Sequence, residues 1–66
     1  MRTITLAEAI AYAASTETAW NGAASAVTWC KYHASSDDMS AYYDVHTTEH
    51  DWSVWIDSNG NVYGEC

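Results

Sequence analysis

The chain has 66 residues and a formal net charge of −7, with nine carboxylates against Arg2 and Lys31. A chain of this length forms a single domain, residues 1–66, and its core is thin because it buries only roughly 60% of the surface its unfolded form exposes. A deep substrate pocket is therefore not expected. Two cations cannot meet the phosphates of a nucleic acid or the headgroups of an anionic membrane, so direct binding to either is disfavoured.

The negative charge is concentrated in the C-terminal half of the chain. Residues 1–31 balance two carboxylates against the two cations, whereas residues 32–66 contain no Lys or Arg. This distribution fits a basic protein partner, or a partner that itself binds DNA. The carboxylates of the C-terminal half are those of Asp37, Asp38, Asp44, Glu49, Asp51, Asp57 and Glu65.

The sequence predicts a soluble, unexported protein. No apolar run approaches the ~20 residues of a membrane span, and the N-terminus lacks a basic region followed by an unbroken apolar segment. We therefore expect a cytoplasmic location. In that compartment a single long-range disulfide between Cys30 and Cys66 is not expected.

Two helices are predicted in the N-terminal half. Thr5 and Glu8 have the spacing of a capping box, so the first helix begins there. Its apolar stripe consists of Leu6, Ala9, Ile10 and Ala13.

The second helix is predicted from the residues that follow this stripe. Ser15-Thr16 interrupts the stripe and offers a new N-cap, with Glu17 in the first turn. Helical spacing then continues to about His33, with a kink at Gly22 or a start after it.

Three strands are predicted in the C-terminal half, where the composition becomes β-branched and aromatic after residues 35–38. They span about 41–47, 52–57 and 61–65, with turns at 48–51 and 57–60. In the second turn, Asn59-Gly60 suits the positive φ angles of a tight hairpin. The predicted fold class is α+β, with two N-terminal helices packed on a three-stranded antiparallel sheet.

Alternation along these strands separates an inward from an outward face. The inward side chains are those of Tyr43, Val45, Trp52, Val54, Ile56 and Val62. The outward side chains are those of Tyr42, Asp44, His46, Ser53, Trp55, Asp57 and Tyr63. A bulge at Gly60 would reverse the sides of Val62 and Tyr63. The outward face is thus both aromatic and acidic, and its exposed Trp and Tyr side chains are of the types that anchor protein interfaces.

Cys30, His33, His46 and His50 have the spacing of a small zinc finger with His in place of the second Cys. The predicted elements do not suit such a finger, because its Cys pair lies on a hairpin and its His pair on a helix. On a strand, moreover, His46 and His50 would lie roughly 13 Å apart. A zinc-stabilised module is the weaker alternative, and no cofactor is predicted.

Asp44, His46 and Glu49 could be drawn as an acid–base group, but the sequence contains no nucleophile motif and no Gly-rich phosphate loop. We therefore predict that the protein is not an enzyme.

The combination of short length, acidic surface, exposed Trp and Tyr, and no catalytic motif resembles the small inhibitors of phages and mobile elements, the anti-CRISPR and anti-restriction proteins. The resemblance implies an inhibitor whose partner is a CRISPR effector or a restriction nuclease with a basic, nucleic-acid-binding surface, and DNA mimicry is one mode of action. If phage-encoded, the protein would act in the host cytoplasm. Asp37, Asp38, Asp44, Asp51 and Asp57 would carry the charge, with Tyr42, Trp55 and Tyr63 beside them as aromatic contacts. An allosteric inhibitor that binds through its aromatic patch remains open.

A structural or assembly protein is the alternative from another functional class. It would form a homodimer through Trp55 and the edge of the sheet.

Overall fold

One helix and a four-stranded antiparallel sheet make up the computed structural model, which describes residues 2–66. The elements are α1 (Leu6–Asn21), β1 (Val27–His33), β2 (Tyr42–Thr47), β3 (Asp51–Ile56) and β4 (Val62–Glu65). The strands are neighbours in chain order, so the sheet is a meander. The fold class is α+β, and no helix in this part of the chain is long and apolar enough to cross a membrane.

The predicted capping box is present at the start of α1. The amide of Glu8 donates to Thr5 Oγ1 at 3.2 Å, and the amide of Thr5 donates to Glu8 Oε1 at 3.0 Å. Arg2 Nη1 also donates to Glu8 Oε1, at 2.6 Å. The hydrogen bonds from Arg2 and then Thr5 lower the pKa of the Glu8 carboxyl to about 2.

The predicted break at Ser15-Thr16 is wrong, and α1 continues to Asn21. The hydroxyls of Ser15 and Thr16 donate to the Tyr12 carbonyl inside the helix, at 3.2 and 2.8 Å, so neither residue competes for a free backbone amide. The helix ends at Gly22, which has a φ of 83° and donates its amide to the Thr18 carbonyl at 2.8 Å. Glycine adopts this left-handed conformation at little cost.

The predicted second helix is also wrong, because residues 27–33 form β1. Val27, Thr28, Trp29 and Tyr32 favour strands, and pairing with β2 outweighs the helical spacing of the apolar residues. Val27 lies opposite Thr47 and Trp29 opposite His46, so Thr28 is the extra residue of a bulge. The sheet therefore has four strands instead of the predicted three.

The three predicted strands exist. Four of their six ends differ from the prediction by one residue, and the other two coincide with it. The turn at residues 57–60 forms, but only Gly60 has a positive φ, of 83°, so the expectation for Asn59 was wrong. One oxygen of Asp57 accepts the amides of Asn59 and Asn61 at 2.9 and 3.0 Å. This carboxylate therefore stabilises the turn.

The core lies between α1 and one face of the sheet. On the helix, the buried residues Ala9, Ala13 and Glu17 are four positions apart and form one stripe, whereas Leu6 is 42% exposed and not part of the core. The helix contacts β2, β3 and β4. The sheet and the segment before α1 contribute buried Ile4, Val45, Trp52, Val54 and Ile56.

Gly64 allows the helix to approach β4 closely. A Cβ atom at this position would lie 2.9 Å from the Tyr12 ring and 2.8 Å from the Ser53 carbonyl oxygen. The Tyr12 hydroxyl donates to the Gly64 carbonyl at 3.0 Å. The missing side chain on β4 is thus replaced by an aromatic ring from the helix.

Candidate functional site

The sheet face opposite α1 has no helix or strand packed on it among residues 2–66, and we name it the open face. Side chains on this face form three rows across the strands, because residues at paired positions point to the same side. The open face consists of Trp29, Lys31, His33, Tyr42, Asp44, His46, Asp51, Ser53, Trp55, Tyr63 and Glu65.

The first row is aromatic and crosses all four strands through His33, Tyr42, Trp55 and Tyr63. The rings of His33 and Tyr42 stack with centroids 4.4 Å apart and an interplanar angle of 5°. Trp55 meets Tyr63 edge to face at 5.5 Å. Cross-strand aromatic pairs of this kind stabilise the sheet and fix the ring positions.

The second row is polar and consists of Lys31, Asp44, Ser53 and Glu65. Asp44 accepts from His33 Nε2 at 2.7 Å and from the Ser53 hydroxyl at 3.3 Å. This order differs from a Ser–His–Asp relay, where the imidazole lies between the hydroxyl and the carboxylate. Here the carboxylate is central, so His33 is not placed to remove the Ser53 proton.

The third row contains Trp29, His46 and Asp51. The Trp29 and His46 rings stack with centroids 3.7 Å apart and an angle of 13°. His46 Nδ1 lies 2.6 Å from Asp51 Oδ1, and because a carboxylate only accepts, this nitrogen carries the proton in the contact. Each of the two histidines on the open face, His33 and His46, is therefore oriented by an aromatic ring and by a carboxylate.

The structure brings five of the eight predicted site residues together on the open face, namely Tyr42, Asp44, Asp51, Trp55 and Tyr63. The predicted inward and outward sides of β2, β3 and β4 agree with the structure. The other three predicted site residues lie at the margins of the sheet. Asp57 is in the β3–β4 turn, and Asp37 and Asp38 are exposed in the segment between β1 and β2.

Four members of the open face were missed from the sequence. Glu65 was not assigned to a face, and Trp29, Lys31 and His33 were missed because β1 was predicted as helix. The signal of the three β1 residues was a period of two, because they alternate with the inward-facing Cys30 and Tyr32. A run of β-branched and aromatic residues after Gly22 supports the same interpretation.

The four residues with zinc-finger spacing do not meet. Cys30 faces the helix side of the sheet, where burial raises the pKa of its thiol. His33 and His46 lie on the open face and contact different carboxylates, whereas His50 Nδ1 lies 3.0 Å from Glu17. No group of three or more His, Cys, Asp or Glu residues within 2–66 is arranged to hold a metal ion.

A second polar cluster lies under α1, around the buried carboxylate of Glu17. One of its oxygens accepts the amide and hydroxyl of Ser25, and the other accepts Thr47 Oγ1 at 2.7 Å and Trp52 Nε1 at 2.9 Å. Burial raises the pKa of Glu17, but these hydrogen bonds together lower it by more than burial raises it. The carboxyl is therefore ionised, with a pKa well below its usual range. The cluster joins the end of α1 to the β2–β3 turn.

A cavity of 360 Å³ opens at the edge of the open face. Its walls combine two aromatic rings of the first row, a methionine, two hydroxyls and a carboxylate. The lining residues are Met39, Ser40, Tyr42, Ser53, Trp55 and Glu65.

Comparisons with protein-family models, with curated proteins and with solved structures give no match. The fold and site define a small α+β domain with one covered sheet face and one open aromatic and acidic face.

Proposed function

We propose that this protein is a small acidic inhibitor that binds a basic, nucleic-acid-binding surface of another protein through its open face. A CRISPR effector or a restriction nuclease is the kind of partner we infer. The observation that carries the proposal is the open face itself, where an aromatic row lies beside carboxylates on a sheet face that no helix within residues 2–66 covers.

The aromatic side chains of the open face supply the anchors of this interface, with Tyr63 in the first row and Trp29 in the third. Tyr63 is 49% exposed and Trp29 is 51% exposed, and both rings are held by neighbours on the sheet. Trp and Tyr are enriched among the residues that dominate binding energy. Because these side chains are already ordered, binding costs less conformational entropy than it would for mobile side chains.

The carboxylates supply the selectivity for a basic partner. The open face carries three carboxylates and one Lys, namely Asp44, Asp51, Glu65 and Lys31. Two more carboxylates, Asp37 and Asp38, lie in the segment between β1 and β2. Negative charge attracts a basic surface and accelerates the encounter. A partner covered in this way could not admit its nucleic acid, and the complex would weaken with salt as protein–DNA complexes do.

The first test is capture of the partner from host lysate at low and high salt, with Glu65→Lys as the charge-reversed variant. Glu65 suits this test because its carboxylate makes no ion pair among residues 2–66, whereas Asp44 and Asp57 hold neighbouring groups in place. Glu49→Lys is the matched control, since Glu49 is exposed in the β2–β3 turn, outside the open face.

We expect capture of a nucleic-acid-binding protein to fall about tenfold with Glu65→Lys and with high salt, but to change little with Glu49→Lys. Equal losses for the two variants would argue against the open face as the binding surface. Capture that ignores salt but requires Trp55 would favour the allosteric, aromatic mode of binding over mimicry.

Self-association is a second candidate, and the exposed edge of β1 favours it. Val27, Trp29 and Tyr32 on this strand are 41%, 51% and 45% exposed, and residues 27–33 contain no carboxylate. Such an edge can pair with a second copy. Sedimentation from micromolar to millimolar protein tests this: a doubled mass that Trp29→Lys abolishes would support the dimer, and a constant monomer mass would exclude it.

A further inference from the structure

We infer that the 360 Å³ cavity at the edge of the open face is a binding site for an arginine side chain of the partner. This inference rests on the proposed function and deepens it, because it assigns one position of the interface to one chemical group. The volume is near the lower end of the roughly 300 to 1,000 Å³ of ligand sites, which suits a single side chain better than a larger ligand.

The cavity walls match the two parts of an arginine side chain. Met39 and the Trp55 and Tyr42 rings provide apolar surface for the three methylene groups. A guanidinium group stacks on aromatic faces more readily than an ammonium group does, because it is planar and more weakly hydrated. His33 stacks on one face of the Tyr42 ring and so fixes the orientation of that wall.

Glu65 supplies the counter-charge. Its side chain lines the cavity, and it forms no ion pair with any residue among 2–66. A carboxylate can accept two parallel N–H bonds from one guanidinium group. The Ser53 hydroxyl also lines the cavity and bonds Asp44, so a second carboxylate lies one position away in the same row.

The charge on this side of the sheet favours a cation over a neutral or anionic group. Lys31 belongs to the same cross-strand row as Glu65, but β2 and β3 lie between their strands. Asp44 lies between Lys31 and the cavity in this row, and its negative charge offsets the positive charge of the lysine. An anion entering the cavity would meet Glu65 without a cation beside it.

The test is a titration of the ¹⁵N-labelled protein with the tripeptide acetyl-Gly-Arg-Gly-amide, followed by NMR at low salt. Matched tripeptides carry citrulline, which has the same shape without the charge, or lysine in place of arginine. We expect the arginine peptide to shift the Trp55 indole N–H and the Glu65 amide signals in a saturable way. The citrulline peptide should leave them unchanged, and lysine should bind more weakly.

Two variants separate a built site from general attraction to an acidic protein. Glu65→Gln should weaken arginine binding about tenfold, because one charged hydrogen-bond acceptor is lost. Glu49→Gln removes the same charge away from the cavity and should change binding less than twofold. Equal effects of the two variants, or equal shifts from citrulline and arginine, would overturn the assignment.

Failure of this site would be distinguishable from failure of the proposed function. If the arginine peptide does not bind but partner capture still depends on Glu65→Lys, the open face is the interface and the cavity is not an arginine site. If the peptide binds but capture is indifferent to Glu65→Lys, the cavity binds arginine but does not receive an arginine of the partner, and the proposed charge-based interface is wrong.

Discussion

Glu17 is the residue on which the junction between helix and sheet depends. Its side chain is 1% exposed, yet the hydrogen bonds from Ser25, Thr47 and Trp52 and the contact with His50 satisfy both oxygens. A buried charge is tolerated only with such partners. The same bonds connect three separate parts of the chain, so the carboxylate is a structural group of the fold.

We predict that Glu17→Ala destabilises the protein by roughly 3 to 5 kcal/mol, because it leaves several buried donors without an acceptor. A small domain has only about 5 kcal/mol or slightly more to lose, so the variant should be largely unfolded. Urea denaturation followed by circular dichroism measures this. The control is Glu49→Ala, on the surface, and a loss below about 1 kcal/mol for Glu17→Ala would contradict the structural role.

Acid should destabilise the protein through Glu8 and Glu17. Both have folded-state pKa values below the usual 4.5, Glu8 at about 2. A lowered folded pKa stabilises the folded state above the unfolded pKa, and this contribution is lost as the pH falls towards the folded value. From these two groups we therefore expect constant stability from neutral pH down to about pH 5, then a decline below about pH 4.5.

Urea denaturation across this range, in enough salt to screen the net charge, measures the decline. Glu8→Gln should remove only the part due to the capping box, leaving the part due to Glu17. An increase in the free energy of unfolding as the pH is lowered from about 5 to about 3 would contradict the prediction.

At the scale of elements, the strands differ in how well they are covered. β2 and β3 are central in the sheet and lie under α1, and β4 is an edge strand that the helix also contacts through Tyr12 and Gly64. β1 is an edge strand whose residues are mostly exposed. Local opening is easiest where few buried contacts must break.

We therefore predict that β1 amides exchange with deuterium fastest among the strands and β3 amides slowest. The comparison uses the β1 amides that are hydrogen-bonded to β2. The β4 amides that are hydrogen-bonded to β3 are the control, because β4 is also an edge strand. Hydrogen exchange followed by NMR gives these rates residue by residue. Protection of β1 equal to that of β3 would mean that something covers β1 in solution, as in the self-associated form.

At the scale of the whole molecule, the two faces of the sheet have different roles. The inner face holds the core against α1, and the open face holds its aromatic row against solvent. Two tryptophans allow the faces to be compared, because Trp55 belongs to the open face and the 58% exposed Trp20 lies on the helix side, beside Trp52.

We predict that Trp55→Leu reduces capture of the partner at least about tenfold, whereas Trp20→Leu leaves capture within about twofold, since interface anchors dominate binding energy. Calorimetric or interferometric affinities with the captured partner would give the two values. Loss with Trp20→Leu alone would move the interface to the helix side. Circular dichroism of both variants controls for folding.

Several parts of this arrangement were predictable because their signals are local. The capping box at Thr5 and Glu8, the turn at 57–60 and the alternation in β2 and β3 each depend on neighbouring residues. The same alternation placed Tyr42, Asp44 and Trp55 on one face, and the alternation in β4 placed Tyr63 there. The identity of β1 was not predictable in this way, because its apolar residues fit both a helix and a strand period.

The sequence by itself determined the acidic charge and its concentration after Lys31, the α+β class, the start of the helix and the inward and outward sides of three strands. Only the tertiary structure decided that α1 passes Ser15-Thr16, that residues 27–33 pair with β2, and that Glu17 is buried among donors from distant segments. Long-range pairing and burial outweigh local preferences of a few tenths of a kcal/mol per residue, so these features depend on contacts that no local pattern contains.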